Sequence, residues 1–412
     1  MLSRLTIKNF KSLNNIEINL PRLTVLFGPN AAGKSNLLDA VQALSRIGTN
    51  RTLADALSEP IRGYPVEAFA IPKGGLSELL NLKTSSFELD ALLDIGKYSY
   101  RYLVEVGIQL ESGSLAVKNE YLAILSSKGE PRGNPSIERV DDKLRIRRKS
   151  KPANPRKEPV GLLNYSILSD PRLGGAEYRA IEVVREELSG WRVYYLDPRV
   201  AMRTPKPPTD VRDIGVLGTD IAPFLYRLRA EYPKNYEMIK RTLKSLIPSI
   251  DDLIVDLDKR RGTLDINIEQ AGTQFSSRII SEGTLRVLAL CAIVVNPWSG
   301  SLLAFEEPEN GVHPRRLELI AQLLMSLALE QKRQVIVTTH SPLFCDAVLK
   351  LSHSRPIDIA LMNVRRSLNG TEVLPFDVTG PLFKDQEIAK ALTAGTEDGL
   401  FENLMLRGML DE

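Results

Sequence analysis

Hydrophobic and polar positions alternate from the start of the chain. Leu5 and Ile7, then Ile16, Ile18 and Leu20, fall at every second residue, the period of half-buried strands. After Pro21, Leu23 to Phe27 is an unbroken apolar run, the pattern of a short strand covered on both faces. It runs straight into Gly28-Pro29-Asn30-Ala31-Ala32-Gly33-Lys34-Ser35. From Ser35 to about Ile47 the apolar Leu37, Leu38, Val41 and Leu44 recur at helical spacing. Strand, glycine loop and helix therefore follow one another within residues 1–48.

Residues 49–270 are less regular. Phe87 to Leu93, Tyr98 to Ile108 and Leu122 to Leu125 predict strands, and Ala176 to Leu188 a helix. Val200 to Val216, with Pro205, Pro207 and Pro208, reads as loop, and Asp220 to Leu246 as helix broken near Pro233. Neither an internal repeat nor a sustained heptad is visible, which argues against a long coiled-coil arm. Over 271–412 the pattern sharpens again. Leu285 to Val295 predicts an apolar helix, Leu302 to Phe305 a buried strand, Pro314 to Leu329 an amphipathic helix and Gln334 to Thr338 a second buried strand. The tail from Lys384 to Arg407 reads as a helix pair, with Ile388, Leu392, Leu400 and Leu404 apolar. Short apolar strands alternating with helices predict an α/β fold with a largely parallel sheet.

Composition narrows the classes. At 412 residues, 43% hydrophobic and 25% charged, the chain is long enough for two or three units and ordinary for a folded protein. The longest apolar run, Val287 to Val295, is far short of the ~20 residues of a membrane span. Two cysteines, Cys291 and Cys345, exclude a disulfide framework and a cysteine-based zinc site. A cytoplasmic protein without membrane contact is expected. The net charge of +3 conceals a local excess: Lys143, Arg145, Arg147, Arg148, Lys149, Lys151, Arg156 and Lys157 occur without an intervening acid, so the remainder is net acidic. With Pro152, Pro155 and Pro159 this stretch reads as an exposed loop. It is either a solvated surface or a contact for DNA, RNA or an acidic partner protein.

The chemistry lies in two places. Gly28-x-x-x-x-Gly33-Lys34-Ser35 fits the phosphate-loop pattern. Its glycines let successive N–H groups face phosphate oxygens, Lys34 supplies a cation to the β/γ-phosphates, and the Ser35 hydroxyl is suited to Mg²⁺. The helix that follows adds its positive end. Far downstream, Leu302-Leu303-Ala304-Phe305 leads into Glu306-Glu307, which puts two carboxylates at the end of a buried strand. One can hold a metal ion and the other polarise an attacking water.

With these residues in place, the sequence resembles ATPases of the ABC type, in the branch containing RecF, the SMC proteins and the overcoming-lysogenization-defect nucleases. Two blocks carry the likeness, residues 1–48 and 279–345. Ile7-Lys8-Asn9-Phe10-Lys11-Ser12 matches the usual start of that branch. Ser281-Glu282-Gly283-Thr284 stands at the signature motif, Phe305-Glu306-Glu307-Pro308-Glu309 at Walker B, Asn310 to Pro314 at the D-loop and Thr339-His340-Ser341-Pro342 at the switch loop. The branch usually has Asp then Glu where this chain has Glu306 then Glu307. The Q-loop glutamine has no secure counterpart, Gln42 and Gln109 being the candidates.

The resemblance implies a phosphate-loop NTPase fold of ABC-ATPase type, a mixed central sheet with flanking helices, interrupted by a strand-rich and helical insertion over 49–270. It implies ATP and Mg²⁺ as cofactors. ATP would be bound by Asn30, Ala31, Ala32, Gly33, Lys34, Ser35 and Asn36, and from a partner subunit by Ser281 and Gly283. Ser35 and Glu306 would take the metal, with Glu307 and His340 catalytic, while His313 and His353 are read as structural. A signature that completes another chain's site implies a head-to-tail homodimer or higher oligomer. The expected function is an ATP-driven switch in nucleic-acid transactions, as the ATPase sensor of a bacterial anti-phage system with a separate effector nuclease. The tail lacks the Asp-x-Asp pattern of a fused nuclease, since Asp377 and Asp385 do not form it. A nucleotide-binding scaffold and the motor subunit of a transporter are the alternatives.

Overall fold

The computed structural model describes residues 1–151, 153–352, 357–368, 370–376 and Phe401. The helix pair expected over Lys384 to Arg407 lies outside the described residues, as do His353, Asp377 and Asp385. The chain begins β1 (Leu2–Phe10), β2 (Leu13–Asn19), β3 (Leu23–Phe27), α1 (Lys34–Ile47), α2 (Leu53–Ala56) and α3 (Leu76–Leu80). Next come β4 (Thr84–Ile95), β5 (Tyr98–Gln109), β6 (Ser114–Leu125), β7 (Ile137–Val140), β8 (Lys143–Ile146), β9 (Arg156–Pro159), α4 (Arg179–Ser189) and β10 (Arg192–Tyr194). They are followed by α5 (Ile221–Glu231), α6 (Pro233–Leu246), β11 (Asp252–Asp258), β12 (Thr263–Gln270), β13 (Thr273–Ser276), α7 (Glu282–Val294) and β14 (Leu302–Glu306). The last are α8 (Leu317–Leu329), β15 (Gln334–Thr339), α9 (Pro342–Ser352), β16 (Ile359–Ser367) and β17 (Gly370–Pro375).

Two compact units result, and neither is one continuous stretch of chain. Unit 1 holds residues 1–22, 28–191 and 362–375; unit 2 holds 23–27, 192–361 and 376–412.

Unit 1 is built on an antiparallel sheet in the order β2-β1-β4-β5-β6-β7-β8-β9. Its register sets Ile7 beside Leu89 and Leu89 beside Val104, so the alternating apolar residues of β1, β4 and β5 line one buried face. Helices α1 and α4 pack together, and Leu37, Leu44, Ile181 and Leu188 are fully covered. The basic stretch is not simply a loop: Lys143–Ile146 and Arg156–Pro159 pair as the outermost strands β8 and β9. Leu144 and Ile146 supply the apolar alternation that forms them, because both are completely buried. Inside this unit Glu120, wholly buried on β6, accepts from the Tyr102 hydroxyl, the Ser166 hydroxyl and the N–H groups of Ile167 and Leu168. Burial pushes its carboxyl pKa up, against the pull of those donors.

In unit 2, β10, β14, β15 and β3 lie side by side, all parallel. Every residue of β3 and β15 is buried, which explains runs without alternation. Helix α7 is apolar nearly all round, with Leu285 and the whole span Val287 to Ile293 buried. Helices α5 and α6 meet at Tyr232, where Pro233 begins the second helix. Strands β11, β12 and β13 form a separate antiparallel sheet. No helix among the described residues is long and apolar enough to cross a membrane.

The Glu120 network gives a direct stability test. Glu120→Ala leaves two hydroxyls and two N–H groups without their buried acceptor, which should cost at least about 3 kcal/mol. Its urea midpoint should fall clearly below that of the wild type, and an unchanged midpoint would show that the network is dispensable.

Candidate functional site

Parallel pairing sets the stage within unit 2. Glu306 pairs in register with Thr338, and Thr339 pairs with Phe27, so β14, β15 and β3 all end at one edge of the sheet. The carboxyl edge of a parallel sheet is where α/β proteins build their sites. Beyond Phe27 the chain enters the glycine loop, beyond Glu306 comes Glu307, and beyond Thr339 comes His340.

Glu307 is held from several sides. Its N–H donates to the Thr338 carbonyl at 3.0 Å, extending the ladder one residue past β14. Its backbone turns into the left-handed region at φ 44°, a strained conformation for a residue other than glycine. One carboxylate oxygen, Oε1, lies 3.0 Å from His340 Nδ1, and the other, Oε2, accepts from Asn310 Nδ2 at 2.6 Å. With its proton on Nδ1, His340 orients the carboxylate and keeps Nε2 as an acceptor. The remaining lone pairs of Glu307 can take a water proton. His340 is 45% exposed and Glu307 23%, so both face solvent at the edge.

Glu309 is the contrast. It is buried, it accepts from the Thr339 hydroxyl through Oε1, and its Oε2 is enclosed without a hydrogen-bond partner. Burial, with a smaller push from Glu307, raises its pKa and favours the neutral acid. The motif contained Glu309, but only the fold distinguishes this enclosed carboxyl from its exposed neighbour.

The signature segment meets this edge at close range. The Ser281 hydroxyl caps α7 by accepting from the Thr284 N–H at 3.2 Å. A β-carbon on Gly283 would lie 2.0 Å from the Gly311 carbonyl oxygen, so only glycine lets α7 approach the turn after Asn310. One turn further along, Arg286 Nη1 donates to the Glu307 carbonyl at 3.4 Å. Burial lowers the Arg286 pKa while Glu309 and Glu307 oppose that shift. Arg286 went unremarked in the sequence, where an arginine inside an apolar helix carries no motif. His313 caps the turn before α8, its ring nitrogen accepting from the Arg315 N–H.

In unit 1 the glycine loop bends sharply at three residues. Gly28, Ala31 and Gly33 have φ of 144°, 63° and 108°, so the loop repeatedly enters the left-handed region that two of these residues meet as glycine. Asn30 and Ala31 are exposed and Ala32 is buried. Lys34 Nζ folds onto the loop, donating to the carbonyls of Gly28 and Pro29 at 2.7 and 2.8 Å. Ser35 lies in the first turn of α1, and the Asn36 amide donates to Ser12 Oγ at 2.8 Å. Gln42 is buried within α1, whereas Gln109 closes β5.

Fold and loop together define a phosphate-loop NTPase of ABC-ATPase type. Residues 23–346 match the family described as "AAA domain, putative AbiEii toxin, Type IV TA system", and the chain belongs to that family. It is similar to the SMC head domain of Pyrococcus furiosus with an extended coiled coil, bound to the C-terminal domain of ScpA. That match is 12% identical over 94% of this chain and 99% of that one, with a TM-score of 0.52, and shows the fold. The SMC head domain from Thermotoga maritima aligns at 15% identity over 92% of this chain and 99% of that one, with a TM-score of 0.43. The DNA replication and repair protein RecF of Lactobacillus acidophilus is 36% identical over 55 residues. Those residues are 13% of this chain and 15% of that protein's length.

Proposed function

We propose that this chain binds ATP with Mg²⁺ at the phosphate loop and hydrolyses it, with Glu307 as the base. The observation that carries this reading is the contact of Glu307 Oε1 with His340 Nδ1 at the ends of adjacent parallel strands. A carboxylate pinned by an imidazole and an amide is oriented before substrate arrives, as general-base catalysis requires. Asn30 to Asn36 supply the phosphate contacts, Lys34 exchanging its two loop carbonyls for phosphate oxygens. The Ser35 hydroxyl and the Glu306 carboxylate are oxygen donors of the kind Mg²⁺ takes. When bound there, the ion would neutralise phosphate charge. Glu307 then draws a proton from water, and His340 holds the carboxylate in place.

The same reading assigns Ser281 and Gly283 to the γ-phosphate held by a second copy, making a head-to-tail dimer that closes on ATP. Ser281 lies exposed at the start of α7, where a partner can reach it. The family's description mentions a toxin of a type IV system, which supports a defence role; our reading is of a cytoplasmic switch acting with a separate effector. Nucleic acid is the ligand we assign to the basic hairpin. Arg147 and Arg156 are engaged with Glu138 and with Glu158 and Asp170, while Arg145 pairs in register with Lys157 across β8 and β9. Lys143 stands two residues from Arg145, on the same face.

Lys34→Ala should weaken ATP binding roughly 10- to 100-fold, the worth of one or two charge-assisted bonds. Glu307→Gln should bind ATP within a few-fold of wild type yet lose about 10²- to 10⁴-fold in turnover. Equilibrium binding with phosphate release separates the two. If Glu306→Gln bound ATP but lost turnover while Glu307→Gln stayed active, the roles of the two acids would be exchanged.

For the hairpin, replacing Lys143, Arg145 and Lys157 by Gln should flatten the salt dependence of DNA or RNA binding by roughly 0.7–0.9 per lost contact. An unchanged slope removes nucleic acid from this surface.

A further inference from the structure

The hairpin of β16 and β17 lies more than 300 residues beyond the phosphate loop in sequence, yet within unit 1 it forms the floor of that loop. A β-carbon on Gly28 would lie 2.1 Å from the Val364 carbonyl oxygen, and one on Gly33 would lie 2.2 Å from Thr371 Oγ1. Both loop glycines are thus required by the same hairpin, at two separate points.

Thr371 does more than fill space. It is 6% exposed. Its N–H donates to the Ser12 carbonyl at 2.9 Å, which anchors the start of β17 beside the β1–β2 turn. Its hydroxyl donates to the Ala32 carbonyl at 2.9 Å and lies 2.7 Å from Ser12 Oγ. Ser12 Oγ in turn accepts from Asn36 Nδ2 at 2.8 Å. The directions of these bonds are fixed by their ends. The Asn36 N–H can only donate and the Ala32 carbonyl can only accept, so each hydroxyl between them accepts from one neighbour and donates to the next. Protons therefore run one way, from Asn36 through Ser12 and Thr371 to Ala32, and bonds in such a chain strengthen one another.

The end of this chain matters because of peptide geometry. The Ala32 carbonyl and the Gly33 N–H belong to one planar trans peptide, and they point in opposite directions. Holding the carbonyl down on Thr371 turns the Gly33 N–H toward the other side of the loop. That N–H precedes the first turn of α1, whose leading N–H groups have no partner within the helix.

We propose that Thr371 is a positioning residue for nucleotide binding: through the Ala32–Gly33 peptide it presents the Gly33 N–H to the phosphates. The proposal rests on the ATP-binding reading above. Ser12 and Asn36 are the links that hold the Thr371 hydroxyl in its donating direction. The C-terminal hairpin, which carries no recognised nucleotide motif, is then part of what makes the loop an anion site.

The test compares Thr371→Val, which keeps the shape and loses the hydroxyl, with Thr371→Ser, which keeps the hydroxyl. The readouts are Mg-ATP affinity, KM and kcat, and the thermal midpoint of each nucleotide-free protein. Thr371→Val should bind ATP roughly 10- to 100-fold more weakly, the cost of misaligning one charge-assisted hydrogen bond. The loss should appear in KM more than in kcat, and Thr371→Ser should recover affinity to within about threefold of wild type. Ser12→Ala, made with the same readouts, should lose less than Thr371→Val, and adding it to Thr371→Val should cost little more, because both break one chain. It also serves if Thr371→Val does not fold. Equal affinity in Thr371→Val and wild type overturns the proposal, as does a Thr371→Ser protein no better than Thr371→Val. Lys34→Ala run alongside separates the two levels. If it binds ATP normally, the nucleotide reading itself is wrong; if it fails while Thr371→Val binds normally, only the role of Thr371 is lost.

Discussion

Main-chain pairing between β14, β15 and β3 is the constraint on which the site in unit 2 depends. Register fixes Glu306 beside Thr338 and Thr339 beside Phe27, so three sequence-distant segments stop at one edge. A one-residue slip in any pair would turn every side chain on that strand to the other face of the sheet. The complete burial of β3 and β15 makes such a slip costly, since it would push packed side chains into wrong cavities. The residues with chemistry therefore need no long-range recognition of their own. They begin where the strands end.

That economy moves the cost to the turns. Glu307 sits at φ 44°, where a side chain with a β-carbon is strained, and Ala31 at 63° shares the difficulty. The two positions are compensated differently. Glu307 is held by the Thr338 carbonyl, His340 and Asn310, whereas the loop of Ala31 is held by Lys34 on the Gly28 and Pro29 carbonyls and by Thr371 on Ala32. Close backbone approach does the rest. Gly283 against Gly311 and Gly28 against Val364 leave no room for a methyl group. Local strain is tolerated here because the surroundings determine the backbone more strongly than its own preferences do.

What the sequence revealed follows from the range of each interaction. The glycine loop, the acids after Phe305 and the buried runs of β3, β14 and β15 are local patterns, legible without a fold. So were the helix break at Pro233 and the strands β4 and β5, whose apolar stretches stand out from their surroundings. In the sequence the basic stretch reads as loop because its charges mask Leu144 and Ile146, the two buried residues that make β8 a strand. The sheet of β11 to β13 passed unnoticed: Asp252, Asp256 and Asp258 dilute an alternation that only its partner strands complete. The hairpin of β16 and β17 was missed for another reason. Its function as the floor of the phosphate loop depends on contacts spanning more than 300 residues, and no spacing in the chain signals them. Glu309 and Arg286 belong to the same group, since their burial and neighbours, not their residue types, set them apart.

Under the proposed function, an oriented carboxylate at this edge hydrolyses ATP in a site that a second copy completes. The most direct measurement is phosphate release from the purified wild-type protein with Mg-ATP, followed over a wide range of protein concentration. The rate of hydrolysis per chain should rise with concentration and then level off, as paired chains replace single ones. A rate per chain independent of concentration at every dilution, in protein shown to be monomeric, would contradict completion by a second copy. No hydrolysis at any concentration would contradict a catalytic role for Glu307 altogether.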